Sequence, residues 1–408
     1  MSVGVPSRAN HIAMVAGEPS GDLLAAQILR GIQQQQPTPI QFSGIGGPQM
    51  QAASFQSVYP MDALSVFGYV DALKRLPTLL RTYHGLKKQL LQQRPDVFVG
   101  IDAPDFNLRI EHILRQNTIP TVQFVGPSIW AWRYERIHRI REAVSHMLVL
   151  FPFEVPIYEK EGIPVTCVGH PLAQHIPLHP DQAAARTRLN VEQGARVLGI
   201  LPGSRQSEVA LLGPRFLQTA QQLQQRDPDL QFLVPMVNPA RCAQFQALLQ
   251  QYPVNHLHVL QTDSIAPTFL ADGSVKPIAW EVMEACDALL VASGTASLEA
   301  ALYKCPMVIS YVLSPLMKRI MAWQAGQDKP LLEWVGLPNI LSQDFVVPEL
   351  LQDDATPAKL AQACEKALCD DSWRTKVKQR FVELHQSLRL DTPRLAAEVI
   401  LNVAEHGY

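Results

Sequence analysis

The chain has 408 residues, 47% of them hydrophobic, and a net charge of −2. That length suits two cores, the composition excludes a disordered chain, and the balanced charge removes the basic excess that recruits nucleic acid. The six cysteines form no CxxC pair, which argues against a disulfide framework or zinc knuckle and for small buried side chains in a reducing compartment. No apolar run approaches the roughly 20 residues of a membrane span, and no signal sequence is visible, so a cytoplasmic protein is expected.

In chain order, "HIAMVAG" (from His11), "IQFSGIG" (Ile40), "DVFVGID" (Asp96), "TVQFVGP" (Thr121) and "HMLVLFP" (His146) read as buried parallel strands. After about residue 190 the pattern returns in "VLGILPGS", "LQFLVPM", "HLHVL", "DALLVASG" and "PMVISYV". Near-continuous apolar strands separated by helix-length amphipathic segments indicate βαβ units. The expected fold is therefore α/β: two doubly wound Rossmann-like domains facing a cleft, with C-terminal helices packing back. The proline- and glycine-punctuated stretch 167–186 marks the boundary. We expect an N-terminal domain over 1–172, a C-terminal domain over 173–370, and helices over 371–408 that return toward the N-terminal domain.

Ligands of such sheets bind beyond the carboxyl ends of the strands, so the chemistry is sought there. In "VAGEPSGD", Gly17 and Gly21 allow close backbone approach and Ser20 can cap the following helix; capping and ligand binding are both open readings. In "GIDAPDFN", Asp105 suits the opening of a helix. Asp102, at the mouth of a buried strand, suits a general base or a structural hydrogen-bonding role. In "ILPGSRQSEV", Gly203 and Ser204 can offer amide N–H groups to an anion and Arg205 adds a permanent charge, although a surface arginine is the ordinary alternative. In "VASGTASLEAAL", the amides from Ser293 through Gly294, Thr295 and Ala296 to Ser297 can cradle a diphosphate. Glu299 reads either as a ribose contact or as a first-turn helix carboxylate. His170 in "GHPL" and Asn339 in "GLPNIL" are further candidates that spacing does not decide. There is no HExxH, no His/Cys cluster and no Asp-x-Asp pair, so no metal is expected.

One stretch, "SIWAWRYERIHRI", sets Trp130 and Trp132 beside Arg133, Arg136, His138 and Arg139. With "VAGEPSGDLLAA", "GIGGPQM", "PDVFVGIDAPDFN", "FPFE", "GHPL", "LPGSRQSEV", "ASGTASLEAAL", "CPMV" and "GLPNIL", it forms an ordered series that resembles the lipid-A-disaccharide synthases over nearly the whole chain. The resemblance implies an inverting, metal-independent GT-B glycosyltransferase with no cofactor. It would join UDP-2,3-diacylglucosamine to the 6-hydroxyl of 2,3-diacylglucosamine 1-phosphate (lipid X), giving a β-1,6-linked disaccharide 1-phosphate and UDP. It implies Asp102 as base, Arg205 as the second essential residue, and a donor site of Gly203, Ser204, Arg205, Ser293, Gly294, Thr295, Ala296, Glu299 and Asn339. The acceptor is assigned Gly17, Glu18, Ser20, Gly21, Asp105, Trp132 and Arg133, because the tryptophans can offer apolar surface and the arginines charge; tryptophans in the core with solvated arginines on a helix face are the alternative.

Acylated substrates require a membrane-facing surface. In "SVFGYVDALKRLPTLLRTYHGLKKQLL", Val66, Val70, Leu73, Leu76 and Leu80 recur at helical spacing with Lys74 and Arg75 among them, a basic amphipathic pattern suited to the anionic inner face of the inner membrane. A core-packed helix pair is the alternative, and Pro77 is expected to kink or break the helix. The resemblance is compatible with a homodimer. Two departures from the family stand out, a long loop-like stretch at 268–290 and Trp334 where tyrosine is usual. Competing readings are a transferase that adds GlcNAc to a lipid-linked muropeptide, a non-hydrolysing UDP-GlcNAc epimerase, and a non-catalytic nucleotide-binding module.

Overall fold

The computed structural model describes residues 9–36, 38–64, 69–131, 133–270, 273–313 and 333–407, with the side chains of 69–76 excepted. The chain forms two compact units, Met1–Pro171 with Leu388–Tyr408, and Leu172–Ser387.

The first unit is built on a seven-stranded sheet of order β3-β2-β1-β4-β5-β6-β7. Its strands are β1 (His11–Ala16), β2 (Gln41–Ile45), β3 (Gln56–Tyr59), β4 (Val97–Ile101), β5 (Thr121–Phe124), β6 (His146–Val149) and β7 (Val165–Cys167). All pair in parallel. The alternation of side chains explains the continuous hydrophobicity of β1. Ile12 and Met14 face one layer with Ile28, Leu29 and Ile32 of helix Pro19–Gln35 and with Ile400 and Val403 of helix Thr392–His406. Ala13 and Val15 face the other layer, with Leu86, Leu90, Ile110 and Leu114. Each fully buried Ile or Leu contributes roughly 2 kcal/mol by removal from water.

Helix Thr392–His406 starts where the Asp391 carboxylate accepts the Arg394 amide at 3.2 Å and stops at Gly407, with φ +69°. Gly31 lets it approach the first helix, since a Cβ there would stand 2.9 Å from the Pro393 carbonyl oxygen. The segment 371–408 thus divides: helix Asp371–Leu388 lies with the second unit up to Ser387, and Thr392–His406 with the first.

The second unit repeats the winding in a six-stranded sheet of order β10-β9-β8-β11-β12-β13. Its strands are β8 (Val197–Leu201), β9 (Gln231–Pro235), β10 (Leu257–Leu260), β11 (Ala288–Ala292), β12 (Met307–Tyr311) and β13 (Glu349–Leu351). Pairing is again parallel.

Of the kink or break expected at Pro77, the break does not occur: helix Tyr69–Gln93 runs through that residue. Pro77 lies on an exposed face, where solvent can satisfy the carbonyl that its missing N–H leaves free. β13, which no apolar run announces, closes the edge of the second sheet after β12. No helix among the described residues is long and apolar enough to cross a membrane.

Candidate functional site

In the first unit the strand order reverses between β1 and β4, where Ala16 pairs with Ile101. The next residue on each strand is Gly17 and Asp102. The Asp102 backbone is left-handed, φ +51°, followed by Ala103 at +38°. For non-glycine residues that conformation costs roughly 1–2 kcal/mol each. It is held by the Asp102 amide donating to the Phe124 carbonyl at 3.2 Å and by the Asn107 side-chain amide donating to the Asp102 carbonyl at 3.0 Å. Asp102 Oδ1 accepts the Gly17 amide at 2.9 Å, whereas Oδ2 is buried with no partner among the described residues. Burial raises this carboxyl to about 7, against the Gly17 hydrogen bond, with a smaller upward push from the Glu18 charge.

Gly21 is what lets the carboxylate sit there, since a Cβ at that position would lie 1.9 Å from Asp102 Oδ2. The obstacle is a fixed helix backbone, so Gly21→Ala should displace the carboxylate. Because a misplacement of about 1 Å costs on the order of 100-fold in rate, any catalysis that relies on Asp102 should fall by that amount while circular dichroism stays native. Wild-type turnover in Gly21→Ala would show that this approach is dispensable.

The same turn corrects one expectation. Ser20 is the second residue of helix Pro19–Gln35; Glu18 occupies the N-cap position and no side chain caps the helix. Glu18 and Ser20 are exposed. The buried Asp22 carboxylate turns away, accepting the amides of Gly47, Gln49 and Met50 at 2.8 to 3.0 Å, which anchors the "GIGGPQM" turn.

Asp105 lies in the first turn of helix Pro104–Gln116 and is paired with Arg136. Arg136 and Arg139, with Arg109 and His112, line a groove of about 440 Å³ beside Leu108 and Tyr83. Arg133 is exposed, with φ +58°; Trp132 lies outside the described residues. Trp130 is half-buried. Its indole N–H donates to Glu154 Oε1 at 3.3 Å and its ring meets Phe153 edge-on. Burial raises Glu154 to about 7 and lowers His170, which stacks on Phe151, to about 4, so the imidazole is neutral at pH 7. Of the membrane-facing residues expected from sequence, Val66, Val70, Leu73, Lys74, Arg75 and Leu76 lie outside the described side chains. Leu80 is 47% exposed.

In the second unit the reversal falls between β8 and β11, where Leu201 pairs with Val291. This brings the Pro-Gly-Ser-Arg turn beside the Ser-Gly-Thr-Ala turn. The first turn is not the open anion cradle expected. Glu208 Oε2 accepts the amides of Ser204 and Arg205 at 2.9 and 3.1 Å, and Glu208 Oε1 pairs with the Arg205 guanidinium at 3.2 Å. Gly203, at φ +111°, makes room for Glu208, whose Oε2 would be 2.5 Å from a Cβ there. The Arg205 side chain remains 78% exposed.

The second turn is more open. Ser293 N–H is spent on the Ser310 carbonyl and Ser297 N–H on the Gly294 carbonyl. The amides of Gly294, Thr295 and Ala296, at the start of helix Thr295–Leu302, have no acceptor among the described residues. Gly294 sits at φ +154°, a conformation that favours glycine. Behind it Glu299 Oε2 accepts the Trp280 indole N–H at 3.0 Å, and burial raises its carboxyl against that bond.

Sequence pattern does not single out Trp280. The segment just before it is tied to the helix that carries it. Phe269 and Val275 bridge, and Lys276, 8% exposed, pairs with Glu281 and Glu284. Asn339 is a second correction. It is fully buried and its amide is consumed internally, donating to Val347 and Glu349 at 2.8 Å and accepting from the amides of Val346 and Val347 at 2.9 Å. It braces its own loop and has nothing left for a nucleotide. No group of three or more metal-ligating side chains occurs among the described residues.

Comparison with known proteins agrees with this architecture. The chain is similar to the "Glycotransferase of kitacinnamycin", with TM-score 0.58 and 15% identity over 98% of this chain and 100% of that one. It is also similar to a UDP-GlcNAc 2-epimerase from Neisseria meningitidis, with TM-score 0.57 and 11% identity over 96% and 99% of the two chains. At such identities the likeness establishes the fold, two Rossmann-like units of the GT-B kind. Sequence relatives are far nearer. A lipid-A-disaccharide synthase of Bordetella petrii is 63% identical over 97% of this chain and 98% of its own. One from Chromobacterium violaceum is 47% identical over 96% and 97%. The model of the lipid-A-disaccharide synthetase family matches residues 12–402, and the chain belongs to that family.

Proposed function

We propose that the chain transfers 2,3-diacylglucosamine from UDP-2,3-diacylglucosamine to the 6-hydroxyl of 2,3-diacylglucosamine 1-phosphate, releasing UDP. The observation that carries the reading is Asp102, a carboxylate at the reversal point of its sheet, with one buried oxygen that has no hydrogen-bond partner among the described residues and an ionisation poised at about 7. That is the range in which a general base is both deprotonated and able to accept a proton at neutral pH. In one displacement the hydroxyl proton passes to Asp102 and the O6–C1 bond forms. The C1–O bond to the diphosphate breaks with its electron pair leaving on UDP, which inverts C1. The departing charge is met by the Arg205 guanidinium and by the amides of Gly294, Thr295 and Ala296. This division assigns the acceptor to the first unit and the donor to the second.

The groove lined by Arg109, Arg136 and Arg139 keeps an excess of positive charge over Asp105 and Glu142, which suits the acceptor phosphate. Segment 65–80 is proposed to rest on the anionic inner face of the inner membrane, and a homodimer is compatible with this reading.

The likeness to epimerases supplies the second reading, in which UDP-GlcNAc alone is turned over. Purified protein with UDP-2,3-diacylglucosamine in chelator should release UDP and form disaccharide only when the acylated sugar phosphate is added. Turnover of UDP-GlcNAc without an acceptor, and no disaccharide, would overturn the transferase reading.

A further inference from the structure

Directly behind Asp102 lie side chains that the proposed displacement does not use. Asn107, Glu111 and Gln123 are each 0% exposed. They crowd one residue of β4. A Cβ on Gly100 would stand 2.4 Å from Gln123 Oε1, 2.5 Å from Glu111 Oε1 and 2.8 Å from the Asn107 Cβ.

The orientation of both amides follows from what surrounds them. Gln123 Nε2 donates to the carbonyls of Asp102, Phe124 and Val125 at 3.3, 3.2 and 3.0 Å. Asn107 Nδ2 donates to those of Ile101 and Asp102 at 3.4 and 3.0 Å. Carbonyls only accept, so the NH₂ groups must face them. Gln123 Oε1 and Asn107 Oδ1 are thereby left buried without a donor among the described residues, and both Glu111 oxygens lack a well-formed hydrogen bond there, with only the Gly100 backbone N–H acting on the carboxyl.

An ionised Glu111 would add a full charge to a pocket that already holds uncompensated acceptors, each costing roughly 1–3 kcal/mol. A protonated Glu111 brings the missing donor. Burial acts the same way, raising the carboxyl well above its usual range even though it lies against the Gly100 backbone N–H.

We propose that Glu111 is a positioning residue. As a neutral acid it donates its O–H to the amide layer of Gln123 and Asn107, and that layer holds the Asp102 carbonyl and keeps the base in its left-handed conformation. The catalytic consequence rests on the reading of Asp102 above; the protonation of Glu111 does not.

Two variants and one spectrum test it. Glu111→Gln replaces the O–H with an N–H donor of the same shape. It should keep kcat within about threefold, as a preserved hydrogen-bond layer requires, with the acid limb of the pH–rate profile unmoved. Glu111→Leu removes the donor, and kcat should fall about 100-fold, the scale of a misplaced reacting group, with KM unchanged. In the infrared, the wild type at pH 7 should show the carbonyl stretch of a buried neutral carboxylic acid that vanishes in Glu111→Gln.

The proposal is overturned if Glu111→Gln loses as much as Glu111→Leu. It is also overturned if its acid limb shifts to lower pH, as removal of a negative charge beside Asp102 would cause, or if no neutral-acid band is lost between the wild type and Glu111→Gln. Glu18, the charge that faces Asp102 from the neighbouring turn, is the same in every variant. Should Asp102 prove dispensable, the infrared band still decides Glu111, so the two readings fail separately.

Discussion

Asp102→Asn should lower kcat by about 10² to 10⁴, the contribution of a positioned general base, and leave donor and acceptor KM little changed. Asparagine keeps the acceptor oxygen for the Gly17 amide, so the Gly17–Asp102 contact can persist while the proton acceptor is lost. Stability moves in the opposite direction. The native carboxyl titrates at about 7, against 3.8 for an unperturbed aspartate. A group raised in the folded state stabilises the fold relative to its ionised form below the unfolded value, and that contribution is lost as pH rises through the folded value. The substituted amide is uncharged, so it mimics the protonated form at every pH. The melting temperature of Asp102→Asn should therefore exceed that of wild type at pH 8, and the gap should close toward pH 4. A mutant that is inactive and also less stable at pH 8 would point to a structural role for the carboxylate.

Arg205→Ala should lower kcat by about 10² to 10³, the loss expected when one group that stabilises a departing charge is removed. The fold should barely notice. The side chain is 78% exposed, and an exposed ion pair of this kind is worth about 0.2–1 kcal/mol. Arg205→Lys should recover only part of the activity, because an ammonium cannot reproduce the planar two-point contact with a diphosphate. Chemical denaturation run beside the assay separates the two effects. A large loss of stability would assign Arg205 to the turn rather than to the donor, and an unchanged kcat would remove it from the reaction.

Much of this architecture is readable because fully buried parallel strands are continuous apolar runs, and β1, β4, β8 and β11 are buried almost throughout. β3, β7 and β13 escape that criterion. They are edge strands with partly exposed, mixed sequences, paired on one side only. At Pro77 propensity marks a kink or a break, but not the exposed face on which the helix continues.

At the site, position is legible and partnership is not. The turns after β1, β4, β8 and β11 can be found by pattern, but nothing local says that Glu208 occupies the amides of Ser204 and Arg205, or that Asn339 is consumed by its own loop. The pairing of Trp280 with Glu299 joins residues on different helices, so no short motif carries it. Gln123 does carry a usable signal. A glutamine in the middle of "TVQFVGP", a strand buried on both faces, demands partners, and here they are the backbone around Asp102.

The central claim is that Asp102 is the base and that its surroundings tune it to neutrality. The most direct test is kcat/KM for the acceptor between pH 5 and 9, since that quantity reports ionisations of the free enzyme. The account predicts an acid limb with an apparent pKa near 7, with the residual rate of Asp102→Asn lacking that limb. A wild-type profile that stays flat down to pH 5, or an identical limb in Asp102→Asn, would contradict it.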